Sequence, residues 1–297
     1  MRIKILYEDK YILAIDKPSG ISVHHDGRSK EKTITDWVLK NYPKLKGVGE
    51  PIKISKTSEE AQNFSSCALP RVRGGTLGDK NFELLSRPGI VHRLDKETSG
   101  VLIIVKNKKA FAYFKKQFME RRIKKTYVAI VSGWVNPPAG GDHGIVNKPI
   151  GRSPSDFRRR LAGRGARGEL REAITEYKVL KRFTAPAEHK TESSENFHSC
   201  ALPRVRGGTL GDVNFQNSPL NKFSYLEIHP KTGRTHQIRV HMKYLNHPIV
   251  CDSLYAPNNP CPKNINRLAL HAKSIEFENP KGKIIKIESP LPNFLKI

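Results

Sequence analysis

Thirteen residues occur twice in this chain without a single change: CALPRVRGGTLGD fills Cys67–Asp79 and again Cys200–Asp212. Each copy is followed one residue later by Asn-Phe and preceded by a polar stretch rich in Lys, Thr, Ser and Glu. A solenoid needs about three or more stacked repeats before a continuous core is buried. Two identical copies far apart, in different surroundings, cannot build one. Lys56–Asn81 and Lys190–Asn217 therefore read as inserted surface segments. Loops accept such insertions because closure entropy grows slowly with length.

With those segments set aside, the chain reads as short apolar runs punctuated by turns. Tyr11–Ile15 is stopped by the turn Lys17-Pro18-Ser19-Gly20. Gly100–Lys106, Thr126–Ser132, Ala173–Leu180, Phe223–Ile228, Leu268–Phe277 and Ile284–Ile287 have strand character. Helical spacing marks Thr33–Tyr42, Lys108–Arg121 (Phe111, Phe114 and Phe118 on one face) and Thr235–Leu245. Strands outnumber helices and connections are short. The expected fold is α+β, a mixed and largely antiparallel sheet with flanking helices, in a single domain over 1–297.

Lys and Arg total 53 against 28 acids, a formal net charge of +25. Self-repulsion at that charge opposes compaction, so a polyanionic partner is the economical explanation. Nucleic acid stands ahead of an anionic membrane, because no basic amphipathic helix with an apolar aromatic face is present. Arg71, Arg73, Arg204 and Arg206 leave a second reading of the repeats, as a duplicated nucleic-acid-binding arm. No apolar run reaches spanning length and the N-terminus carries no leader pattern, so a cytoplasmic protein is expected. Cys67, Cys200, Cys251 and Cys261 form no C-x-x-C pair and read as inert thiols. His236 and His241 are not an H-E-x-x-H pair, and no metal site or cofactor is expected. Gly163–Gly168 fits G-x-G-x-x-G but follows Arg158-Arg159-Arg160 rather than a strand. It reads as a basic loop able to touch phosphates, or as plain flexible surface.

The densest chemistry lies in Arg87–Asn107, RPGIVHRLDKETSGVLIIVKN. His92, Arg93 and Asp95 occupy a turn at the mouth of an apolar strand, where a rigid element fixes what a loop exposes. Guanidinium groups nearby would favour the ionised, nucleophilic form of Asp95. A surface Asp bracing a turn with Thr98 and Ser99 explains the same residues equally well.

His92-Arg93-Leu94-Asp95 with Thr98-Ser99-Gly100 resembles the signature of the RluA-type pseudouridine synthases. Leu13–His24, Arg122–Gly133, Thr232–His241, His247-Pro248-Ile249, Asp252–Tyr255, Arg267–Ala272 and Pro290-Leu291-Pro292 resemble further family motifs in the family's order. The resemblance implies an isomerase that converts uridine to pseudouridine in RNA without cofactor or metal. It implies Asp95 as nucleophile, Tyr127 packed on the base, and Arg239 paired with the catalytic aspartate. Arg93 would fill the gap left by the flipped base, and His92, Arg234 and Lys17 would contact RNA. Leu270, or Leu268, would wall the base. Asp36–Pro43 and Arg87–Val91 look most like members acting on large-subunit ribosomal RNA, with tRNA the alternative substrate. A monomer lacking the family's N-terminal S4-type module is expected, because the catalytic pattern begins almost at Met1. Cys251 stands where the family usually has Gly. A rival from another class is an RNA-binding or ribosome-assembly protein that uses the same basic surface without catalysis.

Overall fold

The computed structural model describes residues 1–25, 31–49, 87–138, 140–186, 220–259, 261–262 and 264–296. The two expected insertions, 56–81 and 190–217, lie outside the described residues. In chain order the strands and helices are β1 (Lys4–Glu8), β2 (Ile12–Lys17), α1 (Ile34–Asn41), β3 (Ser99–Val105), α2 (Lys108–Met119), β4 (Lys124–Ser132), β5 (His143–Asn147), β6 (Ile150–Arg152), β7 (Arg160–Ala162), β8 (Arg167–Arg171), β9 (Ile174–Pro186), β10 (Leu220–Pro230), α3 (Gln237–Tyr244), β11 (Leu270–Glu278) and β12 (Ile284–Glu288). They divide between two compact units, Met1–Lys125 with Ala272–Pro290, and Thr126–His271 with Leu291–Ile297.

In the first unit the strand order is β1-β2-β3-β11, with β12 on β11. β1 pairs antiparallel with β2, β2 with β3 and β11 with β12. β3, SGVLIIV, is buried at every position. That is why it reads as an unbroken apolar run instead of alternating. Gly100 opens it at φ +113, and a Cβ there would run into the Ala272 carbonyl. α2 starts where the Asn107 side chain accepts the Ala110 N–H at 2.9 Å. It ends at Met119, ahead of Arg121 at φ +58. Phe114 is fully buried and meets Phe277 edge-on at 5.2 Å. Burying such a ring stabilises by about 1.5–3 kcal/mol. Phe111 and Phe118 flank it, partly buried, as their helical spacing requires. Gln117 bonds both backbone groups of Glu278, donating to its carbonyl at 2.8 Å and accepting its N–H at 3.3 Å. α1 is closed by a capping box between Thr33 and Asp36.

In the second unit the order is β4-β10-β9-β5, with neighbours antiparallel. β10 and β9 run together from Leu220↔Pro186 to Pro230↔Thr175. They are longer than the apolar runs predict, because their ends carry charged, solvent-facing residues that hide the period. A separate three-stranded sheet has the order β7-β6-β8. α3 begins at Gln237 rather than Thr235, since His236 sits in the left-handed region at φ 56. Cys251 and Cys261 are not separate thiols but a disulfide, with Cα atoms 5.1 Å apart. Cys251 adopts φ +57, a conformation that glycine takes without strain.

Candidate active site

The loop before β3 is fastened in the first unit by its backbone. The Lys17 ammonium is fully buried and donates to the carbonyls of Pro18 (2.8 Å), Ile21 (2.8 Å) and Lys96 (3.0 Å). Gly20 N–H also donates to the Lys96 carbonyl at 2.9 Å, and the Ser19 hydroxyl donates to the Glu97 carbonyl at 2.6 Å. Lys17, expected on RNA phosphate, is therefore corrected to a structural cation. It lies away from solvent with its three N–H groups directed at carbonyls.

Within the loop, alternate residues have opposite duties. Leu94 is buried. His92 stacks on Phe118 at 4.9 Å, and its Nε2 accepts the Ile103 N–H at 2.9 Å. Burial, with the Lys125 charge adding to it, pushes the His92 imidazole down to about 3. A ring nitrogen committed to accepting a backbone N–H cannot carry a proton, so His92 is a neutral anchor of β3. Between these anchors Arg93 is exposed, and just after them Asp95 is half-buried, with the Asp95 carbonyl accepting the Thr98 N–H at 3.1 Å. Lys125 was missed by sequence reasoning. Burial pushes its ammonium down to about 8. The signal available was its place on β4 two residues before Tyr127.

The second unit holds Tyr127 and Arg239. Tyr127 lies opposite Ile228 on β10, partly buried against the core. Arg239 is 5% exposed on α3 and forks onto Asp252, which is 1% exposed. Its Nε reaches Oδ2 at 2.8 Å and its Nη2 reaches Oδ1 at 2.7 Å. Such bidentate pairing fixes a guanidinium in plane as well as in place. Asp252 Oδ1 also accepts the backbone N–H groups of Leu254 (3.0 Å) and Tyr255 (2.9 Å). The guanidinium lies 5.0 Å above the Tyr255 ring.

The conspicuous segment Thr232–His241 is mostly a buried polar relay. Thr232 donates to Gln237 Oε1 at 2.7 Å. Gln237 Nε2 donates to the Ile174 carbonyl and to Thr175 Oγ1, each at 3.0 Å. Thr175 Oγ1 meets His241 Nδ1 at 2.8 Å, and His241 Nε2 meets the Lys148 carbonyl at 3.0 Å. Burial lowers the His241 imidazole, consistent with a neutral link. Arg234 is half-buried and donates through Nε to the Glu172 carbonyl at 2.9 Å. Leu270, expected against the base, is a core residue of the second unit and is almost fully buried. Among the described residues no cluster of His, Cys, Asp and Glu is arranged to hold a metal ion, and no helix is long and apolar enough to cross a membrane.

Residues 73–244, more than half of the chain, match the RNA pseudouridylate synthase family. The chain belongs to that family. A relative named ribosomal large subunit pseudouridine synthase D, from Borreliella burgdorferi, is 30% identical over 98% of this chain and 65% of its own length. An uncharacterized RNA pseudouridine synthase of Synechocystis is 29% identical over 97% of this chain and again 65% of its own length. The chain thus spans just under two thirds of these family members. Human RNA pseudouridylate synthase domain containing 1 superposes with a TM-score of 0.62 at 19% identity, covering 98% of this chain and 84% of that one. That likeness supports the α+β pseudouridine synthase fold.

Proposed function

We propose that the chain isomerises uridine to pseudouridine in large-subunit ribosomal RNA, with Asp95 as the nucleophile. The observation that carries this reading is the division of labour in the loop. His92 is anchored to the Ile103 N–H and Leu94 is buried, and Asp95 follows them directly at the mouth of a fully buried strand. Family membership supplies the reaction. The loop supplies a carboxylate on a backbone held by the bonds of Lys17, Ser19 and His92.

The target uridine leaves its stack, at a cost of a few kcal/mol. Arg93, exposed beside Asp95, takes the space the base leaves. The Asp95 carboxylate attacks the nucleoside, splitting one difficult substitution into two easier ones. The N1–C1′ bond breaks, the base turns, C5 bonds to C1′, and the bond to the Asp95 carboxylate breaks to free the enzyme. The C5 proton leaves and N1 gains one, so atoms and charge balance without an oxidant. Tyr127 packs on the base. Arg239 steadies the Asp95 carboxylate. Asp252 holds that guanidinium in plane through two N–H bonds. Arg234 adds a phosphate contact. The protein acts as a cytoplasmic monomer in one catalytic domain, and the segments 56–81 and 190–217 are insertions outside the catalytic machinery.

Pseudouridine mapping in a deletion strain tests the substrate. Loss of one or more sites in large-subunit ribosomal RNA, restored by the gene, is the expected result. Unchanged ribosomal sites with a lost tRNA site would overturn the assignment.

A further inference from the structure

The three-stranded sheet of the second unit carries a row of like charges. Arg152 on β6 stands opposite Arg160 on β7 and opposite Arg167 on β8. Residues directly opposite in an antiparallel pair project from the same face, with Cβ atoms about 4.5–5.5 Å apart. Three guanidinium groups therefore share one face across about 10 Å. Like charges so placed destabilise a sheet.

The nearby acids do not relieve the row. Asp156 binds Arg158 at 2.9 Å and Arg159 at 3.6 Å, and Glu169 binds Arg171 at 2.8 Å. Among the described residues no ion pair reaches Arg152, Arg160 or Arg167. β8 is exposed along its whole length, and Phe157 beside the row is 69% exposed. The glycine pattern noted in the sequence forms the turn from β7 to β8. Gly163, Gly165 and Gly168 all have positive φ, and a Cβ at Gly165 or Gly168 would meet open space. That geometry joins two strands, so it is no nucleotide loop. It leaves bare backbone beside the arginines, where a phosphate strand can approach closely.

The strip is also fixed relative to Arg239. Tyr255 Oη accepts the Arg160 N–H and meets His236 Nδ1, each at 2.9 Å. The same Tyr255 ring lies under the Arg239 guanidinium at 5.0 Å. One tyrosine thus registers β7 against the arginine assigned to steady the nucleophile.

We infer that Arg160, Arg152 and Arg167 form a docking strip for about three successive phosphates of the RNA substrate, at roughly 3.4 Å rise per nucleotide. This rests on the RNA-modifying reading above and adds where the strand outside the reacting nucleotide is held. Neutralising phosphates releases counterions and offsets the repulsion within the row. The contact reads backbone and not sequence.

The test compares R152Q/R160Q/R167Q with R158Q/R171Q, which removes two arginines already paired to acids. RNA binding is measured against salt with substrate RNA, and C5-tritium release is followed separately. Three lost single-strand contacts lower the slope of log K against log salt by roughly 2. The triple variant is expected to show that loss, to raise KM more than it lowers kcat, and to melt no lower than wild type. The double variant is expected to keep the wild-type slope. An unchanged slope in a folded triple variant, or an equal loss in the double variant, overturns the strip. Absence of tritium release from wild type, with the slope loss intact, would refute the isomerase reading and leave the strip standing.

Discussion

The two units fasten their site residues by different means. In the first, the Asp95 loop is held through its main chain: Lys17, Ser19 and Gly20 bind the carbonyls of Lys96 and Glu97, while His92 binds the N–H of Ile103. In the second, Arg239 is held through a charged side chain, forked onto a buried Asp252. A loop tied by many backbone bonds shares its losses among them. A buried ion pair concentrates its loss in one substitution, because removing either partner strands a charge in the interior. The first arrangement spreads a loss over several bonds, and the second concentrates it in one pair.

Asp252→Ala tests the contrast most severely. It leaves the Arg239 guanidinium buried without its bidentate partner, and a loss of about 3–5 kcal/mol is expected in urea unfolding. A loss below 1 kcal/mol would show that Arg239 does not depend on that pair. Lys17→Met comes next. It deprives three carbonyls of a donor and should destabilise by about 2–3 kcal/mol, while the salt dependence of RNA binding stays unchanged. A reduced salt slope at unchanged stability would return Lys17 to the phosphate role.

The third effect is one of pH. The folded His92 imidazole is held down at about 3 against an ordinary 6.5. Between those values the unfolded chain binds a proton that the folded chain does not. Stability is therefore lost as pH falls from about 6.5 towards 3 and levels off below that. His92→Gln keeps an acceptor for the Ile103 N–H and cannot titrate. Its stability should fall less steeply over the same window, read by unfolding at several pH values. Parallel curves would mean that His92 is protonated in the folded protein. The smallest effect concerns Cys251. In reduced protein, Cys251→Gly is expected to gain about 1 kcal/mol by relieving the left-handed conformation. A loss would show that the side chain contributes more than its backbone costs.

The contrast also explains what could be read from sequence. The strands of the first unit were legible because β3 and the inner half of β2 are apolar throughout. The reactive loop was legible because unusual residues cluster in it. What escaped were non-local pairings. Lys17 looked like a surface cation until the fold brought the Lys96 carbonyl to it. Arg239 was expected with the nucleophile, and its contact with Asp252 depends on a turn at Cys251 that no periodicity announces. β6, β7 and β8 were missed because arginines and glycines replace the apolar alternation that marks a strand. β1 was hidden by its exposed, charged ends.

The central claim is that Asp95 is the nucleophile of an isomerisation. RNA labelled with tritium at uridine C5, taken from cells lacking the gene, measures it directly. Wild type is expected to release the label, and Asp95→Asn to bind the RNA with unchanged salt dependence and release none. Release by both proteins would remove Asp95 from the chemistry. Release by neither, with tight salt-sensitive binding by both, would make the chain an RNA-binding protein and contradict the account.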